Sequence, residues 1–300
     1  MQIGAFWFNL LYIEMAPIFG PTHTNRKSFS MSSSSPYSSE QFVNDEADNE
    51  ISRLEDQARV RWPQEVVVLR NAGLQAGNSI ADIGCGPGII TEFLAKEVEE
   101  SGLVLGIENN EKLCNLAKTR NASYKQVQII NNDACGLTDV KDNSFDFAYT
   151  RFVLQHLPDP NKLLTEAIRI LKPGGKLIVM DVDDSLFHIT PYHEGMTQFL
   201  FEASKGQNKY GGDRYIGHKI PCMMFDAGFT EIHASVYTFT SKNITPNQFL
   251  DITTKFKLEL LDPALKDWGE NMLNEVYRKS QEGAFFGSAG VYCVVGEKAL

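Results

Sequence analysis

From Ile51 the apolar residues recur at helical intervals: Ile51, Leu54, Ala58 and Trp62 stand three and four apart, the spacing that gathers side chains on one face of an α-helix. An amphipathic helix is predicted here. Pro63 suits the first turn of a second helix carrying Val66 to Leu69 and ending near Gly73, because a first-turn residue has no intrahelical use for its N–H. After Gly73 the texture changes to short apolar runs separated by helical stretches. The runs Ser79 to Ile83, Leu103 to Ile107, Val127 to Ile130, Phe145 to Tyr149 and Lys176 to Met180 read as strands. Between them, Ile90 to Glu100, Glu111 to Ala122 and Asn161 to Leu171 read as helices.

Strands alternating with helices of about ten residues imply right-handed βαβ units and a parallel sheet covered on both faces. The fold class predicted is α/β, Rossmann-like and doubly wound. The tail differs. A helix over Lys219 to Ala227 precedes a strand from Glu231 to Thr240, Pro246 to Ser280 is mainly helical, and Val291 to Val295 is a last strand. Reached without an alternating crossover, that last strand is expected to run antiparallel. The predicted division is an N-terminal extension over 1–40, a helical lid over 41–75 and one domain over 76–300, with cap insertions at about 184–218 and 242–287.

Composition narrows the function classes. In a chain of 300 residues, 38 Asp and Glu outnumber 28 Lys and Arg, for a formal charge of −10, so the phosphate-neutralising surface of a nucleic-acid binder is not indicated. Cys85, Cys114, Cys135, Cys222 and Cys293 are scattered without C-x-x-C spacing, which suits reduced thiols in a cytoplasmic setting and no metal site. The apolar stretch Gly4 to Phe19 is interrupted by Asn9, Glu14 and Pro17 and has no basic residue before it. It is too short and broken to span a bilayer, and it lacks the charge of a signal peptide. A mobile extension, a membrane-surface or partner contact and a targeting segment remain open for it. The tract Ser28 to Glu40 is too polar to fold alone, and Met31 is a possible start of the functional chain.

The candidate chemistry begins at "IADIGCGPGIIT", Ile80 to Thr91. A strand running into glycines and then a helix aims backbone amides at a ligand beyond the carboxyl end of a sheet. Counting from Gly84, glycines fall at Gly86 and Gly88 while Ile89 stands where a dinucleotide loop needs its third, and no Gly-Lys-Ser/Thr follows as in a P-loop. The order acidic-x-Gly-x-Gly-x-Gly, supplied by Asp82, Gly84, Gly86 and Gly88, closely resembles motif I of the class I S-adenosylmethionine (SAM) dependent methyltransferases. Four companions extend the resemblance in order along Ser79 to Asp183: "VLGIENN" with Glu108, "IINNDACGL" with Asp133, "FDFAYTRFVLQHLPDP", and "LKPGGKLIVMDVD" with its Lys-Pro-Gly-Gly turn. The resemblance implies a seven-stranded, mostly parallel sheet with an antiparallel last strand, and SAM as cofactor.

It also implies roles. Asp82 would meet the α-ammonium of the cofactor, Glu108 with neighbouring Asn109 the ribose hydroxyls, and Asp133 with Ala134 the adenine edge. Thr150 and Arg151 would offer backbone contacts, with a structural turn an equal reading. Tyr37, Arg53 and Gln57 fall where small-molecule relatives of the ubiquinone, menaquinone and natural-product type carry a lid. Bland alternatives stand beside these: Asp82 as a helix cap, Glu108 as an exposed strand end, Asp133 as a turn residue, and Cys85 as a loop filler.

Methyl transfer needs a general base only when the acceptor must lose a proton. His156 is more readily structural than basic, and His188, Tyr192, His193, Tyr210 and His218 form the pool for a base or acceptor anchor, in a segment expected beyond the fifth strand. Phe199, Phe201, Phe285 and Phe286 are candidate aromatic walls, each with core packing as the plainer reading. The expected activity is methylation of O, N or C of a small, largely apolar acceptor, without nucleic acid, stable membrane insertion or metal, and with a homodimer left open. A protein or RNA methyltransferase, or a non-catalytic SAM-binding scaffold, are the competing readings.

Overall fold

The computed structural model describes residues 45–242 and 244–300. Tyr37 and the 1–40 extension lie outside the described residues. The first described element is α1, Asp45–Asn71, a single helix of 27 residues with Pro63 inside it. The second helix expected to begin at Pro63 is therefore the continuation of the first. Proline removes the N–H that residue 59 would accept, but Arg59 is exposed, so water can serve its carbonyl. The buried side chains Ala58, Arg61, Glu65, Val66 and Leu69 hold both halves of the helix down, which outweighs the propensity loss.

Next come β1 (Ser79–Ile83), α2 (Ile89–Val98), β2 (Leu103–Glu108), α3 (Glu111–Asn121), β3 (Val127–Asn131), β4 (Phe145–Arg151) and α4 (Pro160–Ile170). Each helix follows a recognisable signal. Asn110 caps α3 by accepting from the amides of Lys112 and Leu113, and Pro160 stands at the start of α4, whose Leu163, Leu164, Ala167 and Ile170 are buried at the spacing of one helical face. In α2 the buried set is Ile89, Ile90, Thr91, Leu94, Ala95 and Val98.

The fifth strand, β5, runs from Leu171 to Thr190, far beyond the Met180 end read from hydrophobicity. Residues 184–190 were expected after the strand, but His188, Ile189 and Thr190 pair with Ser288, Gly287 and Phe286 across an irregularity that follows Asp183. Polar residues such as Asp183, Asp184 and Ser185 interrupt the apolar run, so pairing, not pattern, extends the strand. The remaining elements are α5 (Gly195–Asn208), α6 (Ile220–Asp226), β6 (Phe229–Thr240), α7 (Pro246–Thr253), α8 (Lys266–Glu282) and β7 (Phe286–Lys298).

The seven strands form one sheet in the order β3-β2-β1-β4-β5-β7-β6. Pairs among β1 to β5 are parallel, and β7 runs antiparallel to both β5 and β6. β1 lies between β2 and β4, so the chain winds outward in both directions from it. That switch point opens a crevice at the carboxyl ends of β1 and β4.

Both faces of the sheet are covered. Leu69, Ile80, Leu94, Phe147, Tyr149 and Ile178 belong to one core, with α1 and α2; Ile83, Ala148, Leu163, Ala167, Leu177 and Ile220 belong to the other, with α4 and α6. A third core, built by α5, α7 and α8 over the far ends of β5 and β6, is the cap: its Phe249 ring stacks between Phe187 and Phe239, at 6.0 and 5.7 Å between centroids. None of the described helices is long and apolar enough to cross a membrane.

In the cap, α5 presses against the 3-10 turn Lys255–Leu260, and a Cβ on Gly206 would collide with the carbonyl oxygen of Leu260. Gly206→Ala is expected to lower the unfolding free energy by about 1–3 kcal/mol. Urea titration followed by fluorescence checks this, and an unchanged midpoint would contradict the packing.

Candidate functional site

Gly84, Gly86 and Gly88 all have positive φ, at 76°, 55° and 78°, which lets the chain reverse from β1 into α2 within five residues. The three differ in what surrounds them. A Cβ on Gly84 would strike the Val153 side chain, and one on Gly88 would lie 2.6–2.8 Å from Asn121 and Ala117 of α3. Those two glycines are required by protein packing. A Cβ on Gly86 would meet nothing within 4 Å, so only here does the loop face open space.

Two carboxylates flank that opening. Glu108, at the end of β2, accepts from the amide of Gly86 at 2.9 Å and from Asn110 at 2.8 Å, and it is buried. It is thus no loose strand end: it ties the glycine loop to β2, and each oxygen keeps a lone pair for a ligand hydroxyl. Burial raises its pKa, opposed by the amides of Asn110, Gly86 and Asn109. Asp82 is also buried and accepts from the Thr91 hydroxyl of α2 at 2.6 Å. Burial raises its pKa to about 7, opposed by that hydrogen bond and by the charge of Arg151.

The rim of the crevice comes from three further segments. Asp133 is exposed in the turn after β3, where its carboxylate accepts from Cys135 N at 2.9 Å, with Ala134 beside it half-buried and Asn109 exposed. Thr150 is fully buried at the end of β4, and its hydroxyl has no hydrogen-bond partner. Arg151 donates to Glu65 of α1 at 3.0 Å and to the carbonyl of Gln57 at 3.3 Å. Phe152, the next residue, has φ 58°, a left-handed conformation rare for a bulky residue. From α3, Arg120 donates to Pro87 O at 3.1 Å and also pairs with Glu55 of α1.

The residues proposed as bases do not come together. His188 is exposed on β5, opposite Ser288; Tyr192 is exposed and bonds to Thr197; and His193 lies between Glu275 and Gly195 N. Tyr210 is exposed, and His218 bonds to Asp183 at 2.7 Å. His156 is half-buried, and burial followed by the charges of Arg214 and Arg53 lowers its pKa to about 3, which keeps the imidazole neutral. Phe199 is wholly buried in the cap core, Phe285 packs edge-on against Phe249, and Phe201 and Phe286 face solvent. Cys85 is buried and its thiol pKa is pushed far up, first by burial, so it is no thiolate nucleophile.

Sequence reasoning missed the ionic residues around the crevice. Glu65 and Arg61 on α1 are buried, as are Asp184, Arg214 and Lys257. Asp184 binds Arg214 at 2.6 Å and Lys257 at 3.1 Å; its pKa falls to about 2, the two cations overcoming the upward effect of burial. The one available signal was Arg61 and Glu65 standing between Ala58 and Leu69 in the helical repeat. Charges on an apolar stripe are buried only with partners.

Residues 81–179 match the family described as "Methyltransferase domain". The chain is 34% identical over 169 residues to an uncharacterized 37.1 kDa protein in transposon TN4556 of Streptomyces fradiae, over 54% of this chain and 46% of that protein. It is 35% identical over 114 residues to the demethylmenaquinone methyltransferase of Staphylococcus aureus, over 38% of this chain and 47% of that enzyme. The chain thus spans about half the length of these curated relatives. Among solved structures, the phosphoethanolamine N-methyltransferase 2 of Haemonchus contortus in complex with S-adenosyl-L-methionine shares the fold, with a TM-score of 0.53 at 22% identity, over 80% of this chain and 53% of that one.

Asp82 generates a pH prediction for the ligand-free protein. Its folded pKa lies above the unfolded value near 4, so the folded state holds a proton that the unfolded chain releases, and stability from this group falls as pH rises from about 4 to 7. Asp82→Asn should therefore gain on the wild type by about 3 kcal/mol between pH 5 and pH 8, from the roughly two pH units of the shift crossed. Urea unfolding of both proteins at the two pH values measures this, and an equal difference at both would contradict it.

Proposed function

The chain carries a domain of the class I SAM-dependent methyltransferase family, and from that premise we propose that it transfers a methyl group from SAM to O, N or C of a small, largely apolar metabolite. The observation that carries this reading is the open cradle at Gly86, with the Glu108 and Asp82 carboxylates at the ends of the two strands beside it. When bound, SAM would supply an electrophilic methyl group on a sulfonium: the acceptor's lone pair would form the new bond to carbon in line with the carbon–sulfur bond that breaks, and S-adenosylhomocysteine would be the leaving group.

The protein's own residues bind, orient and exclude water. Glu108 accepts from the ribose hydroxyls with the lone pairs left by Gly86 and Asn110, and Asp133 with Ala134 meets the adenine edge. Asp82 faces the ammonium, whose charge favours the ionised carboxylate and draws its raised pKa down. The orphaned Thr150 hydroxyl and the Arg151 backbone complete the β4 side, and Gln57 the α1 side. α1 meets the cap core through Arg53 and Arg61, which lie over the Phe256 and Phe239 rings. For a displacement of this kind, fixed geometry and a dry site are the protein's largest contributions. With His156 held neutral at a pKa near 3, this reading favours acceptors whose nucleophile needs no strong base.

The acceptor is taken as quinone-like or natural-product-like because of the apolar cap and the acidic surface, which suit a closed pocket better than a nucleic-acid groove; a cytoplasmic setting fits the reduced thiols. Gly86→Val is expected to weaken SAM binding at least about 100-fold, since the side chain fills the cradle. Calorimetry with SAM and with NAD checks this, and retained SAM affinity, or tight NAD binding without SAM binding, would overturn the reading. Incubation of the full chain with methyl-labelled SAM and a metabolite extract should label a small molecule. Labelling of nothing, or only of protein or RNA, would refute the acceptor class.

A further inference from the structure

β6 stands at an edge of the sheet, with β7 as its one strand neighbour among the described residues. It is 12 residues long, Phe229–Thr240, and from Ile232 to Ser241 the chain carries no Lys, Arg, Asp, Glu or Pro. Natural edges are blunted by such residues, by shortness or by bulges, because an open row of N–H and C=O groups templates another strand. The opposite edge, β3, is short at 5 residues. In β6 the register shift falls between Thr230 and His233, where Glu231 has φ 46°, so the stretch from His233 onward is regular and open.

Which groups face that open side follows from the pairing with β7. His233 to Thr240 pair with Val295 to Ser288 in one register, and in the next position Ser241 N donates to Gly287 O at 2.9 Å. Hydrogen-bonded and non-hydrogen-bonded positions alternate along an antiparallel pair. The odd-numbered residues from His233 to Ser241 therefore bond to β7, and the even-numbered ones, Ala234, Val236, Thr238 and Thr240, turn their N–H and C=O groups outward. Ala234, Val236 and Thr238 are exposed, and Val236, although apolar, is 47% exposed.

We propose that this edge docks a second copy of the chain, with β6 pairing antiparallel to β6 about a two-fold axis at Tyr237, so that the two sheets become one. Outward groups meet only when even-numbered residues face even-numbered ones. An axis at Tyr237 sets Val236 opposite Thr238 and Ala234 opposite Thr240, which uses every outward group of the stretch. Cross-strand pairs of β-branched residues stabilise a sheet, and each Val236 is covered by the other copy's strand. The ends of the stretch select the partner. Glu231 stands before it and Lys242 after it, both exposed, so antiparallel self-pairing brings the acidic end of one copy to the basic end of the other, whereas a parallel arrangement sets like charge against like. The crevice at β1 stays open to ligands, since β4, β5 and β7 lie between β1 and β6. Nothing in this surface depends on the methyltransferase reading.

Sedimentation velocity on the full chain tests this, with hydrogen–deuterium exchange resolved along β6 at the same concentrations. The wild type should form a dimer with a Kd on the order of 10 µM or tighter. In the dimer the amides of Ala234, Val236 and Thr238 should exchange at least about 10-fold more slowly than after dilution to monomer. Val236→Lys sets two like charges beside the axis and should raise the Kd at least about 10-fold. Thr238→Pro removes an outward N–H that β7 does not use, a place where an edge strand tolerates proline, and should raise it by at least about as much. Urea midpoints near the wild type's, as expected at exposed positions, show that the variants fold, and the exchange measurement needs no variant. A chain that stays monomeric to about 100 µM overturns the proposal, even if another protein or peptide binds the edge. A dimer whose β6 amides exchange as in the monomer, or whose Kd a folded variant leaves unchanged, also overturns it, because the copies then meet elsewhere.

Discussion

The carboxyl end of the sheet is organised by one backbone reversal, Gly84 to Gly88, between β1 and α2. Three positive φ angles bring α2 back over the sheet at once, and the missing side chains at Gly84 and Gly88 let Val153 and α3 close against the loop. The loop is then held from three sides: by the Glu108 carboxylate on Gly86 N, by Arg120 on the Pro87 carbonyl and by the Asn121 amide on the Gly88 carbonyl. A larger residue at either packed position would push α3 or the post-β4 segment away, and the crevice would lose its shape. The remaining glycine, with nothing near it, is where the protein leaves room.

Around this crevice the fold places charges that do little for stability by themselves. A buried ion pair loses in desolvation much of what it gains in attraction, so Glu65 with Arg151, or Asp184 with Arg214, is weak support for the fold. What such pairs supply is registry. Glu65 fixes α1 against the end of β4, and Asp184 fixes the cap, through Lys257, against the end of β5. Removing one partner leaves a charge buried alone, so the arrangement is discrete. α1 and the cap are thereby positioned by polar contacts, over cores that are otherwise apolar.

The legible part of the molecule was the part governed by short-range rules. Strands β1 to β4 and helices α2 to α4 were readable within a few residues, because each is bounded by a cap, a proline or a glycine turn and packs by a simple period. Elements settled by distant partners were not. Pro63 marked a helix start locally, yet α1 runs through it because the sheet holds both flanks. β5 looked complete at Met180, yet it continues to Thr190 because β7 supplies the hydrogen bonds. The histidines and tyrosines of 188–218 formed a cluster only along the chain, since α5 and the end of β5 carry them to separate partners such as Glu275, Thr197 and Asp183.

The sequence by itself determined the α/β winding, the glycine loop and the order of acidic residues along it, since each depends on backbone geometry within a few residues. It could not say that two of three loop glycines answer to protein neighbours and one to open space, because Val153, Ala117 and Asn121 reach the loop from elsewhere in the chain. Nor could it say that Arg61 packs against Phe152 and Phe239, or that Arg214 and Lys257 share Asp184. Those residues come from α1, the end of β4, β5, β6 and two parts of the cap, and only the packing of these elements against one another brings them into contact. Charge balance in a buried site is a sum over neighbours in space, and the tertiary structure alone chooses the neighbours.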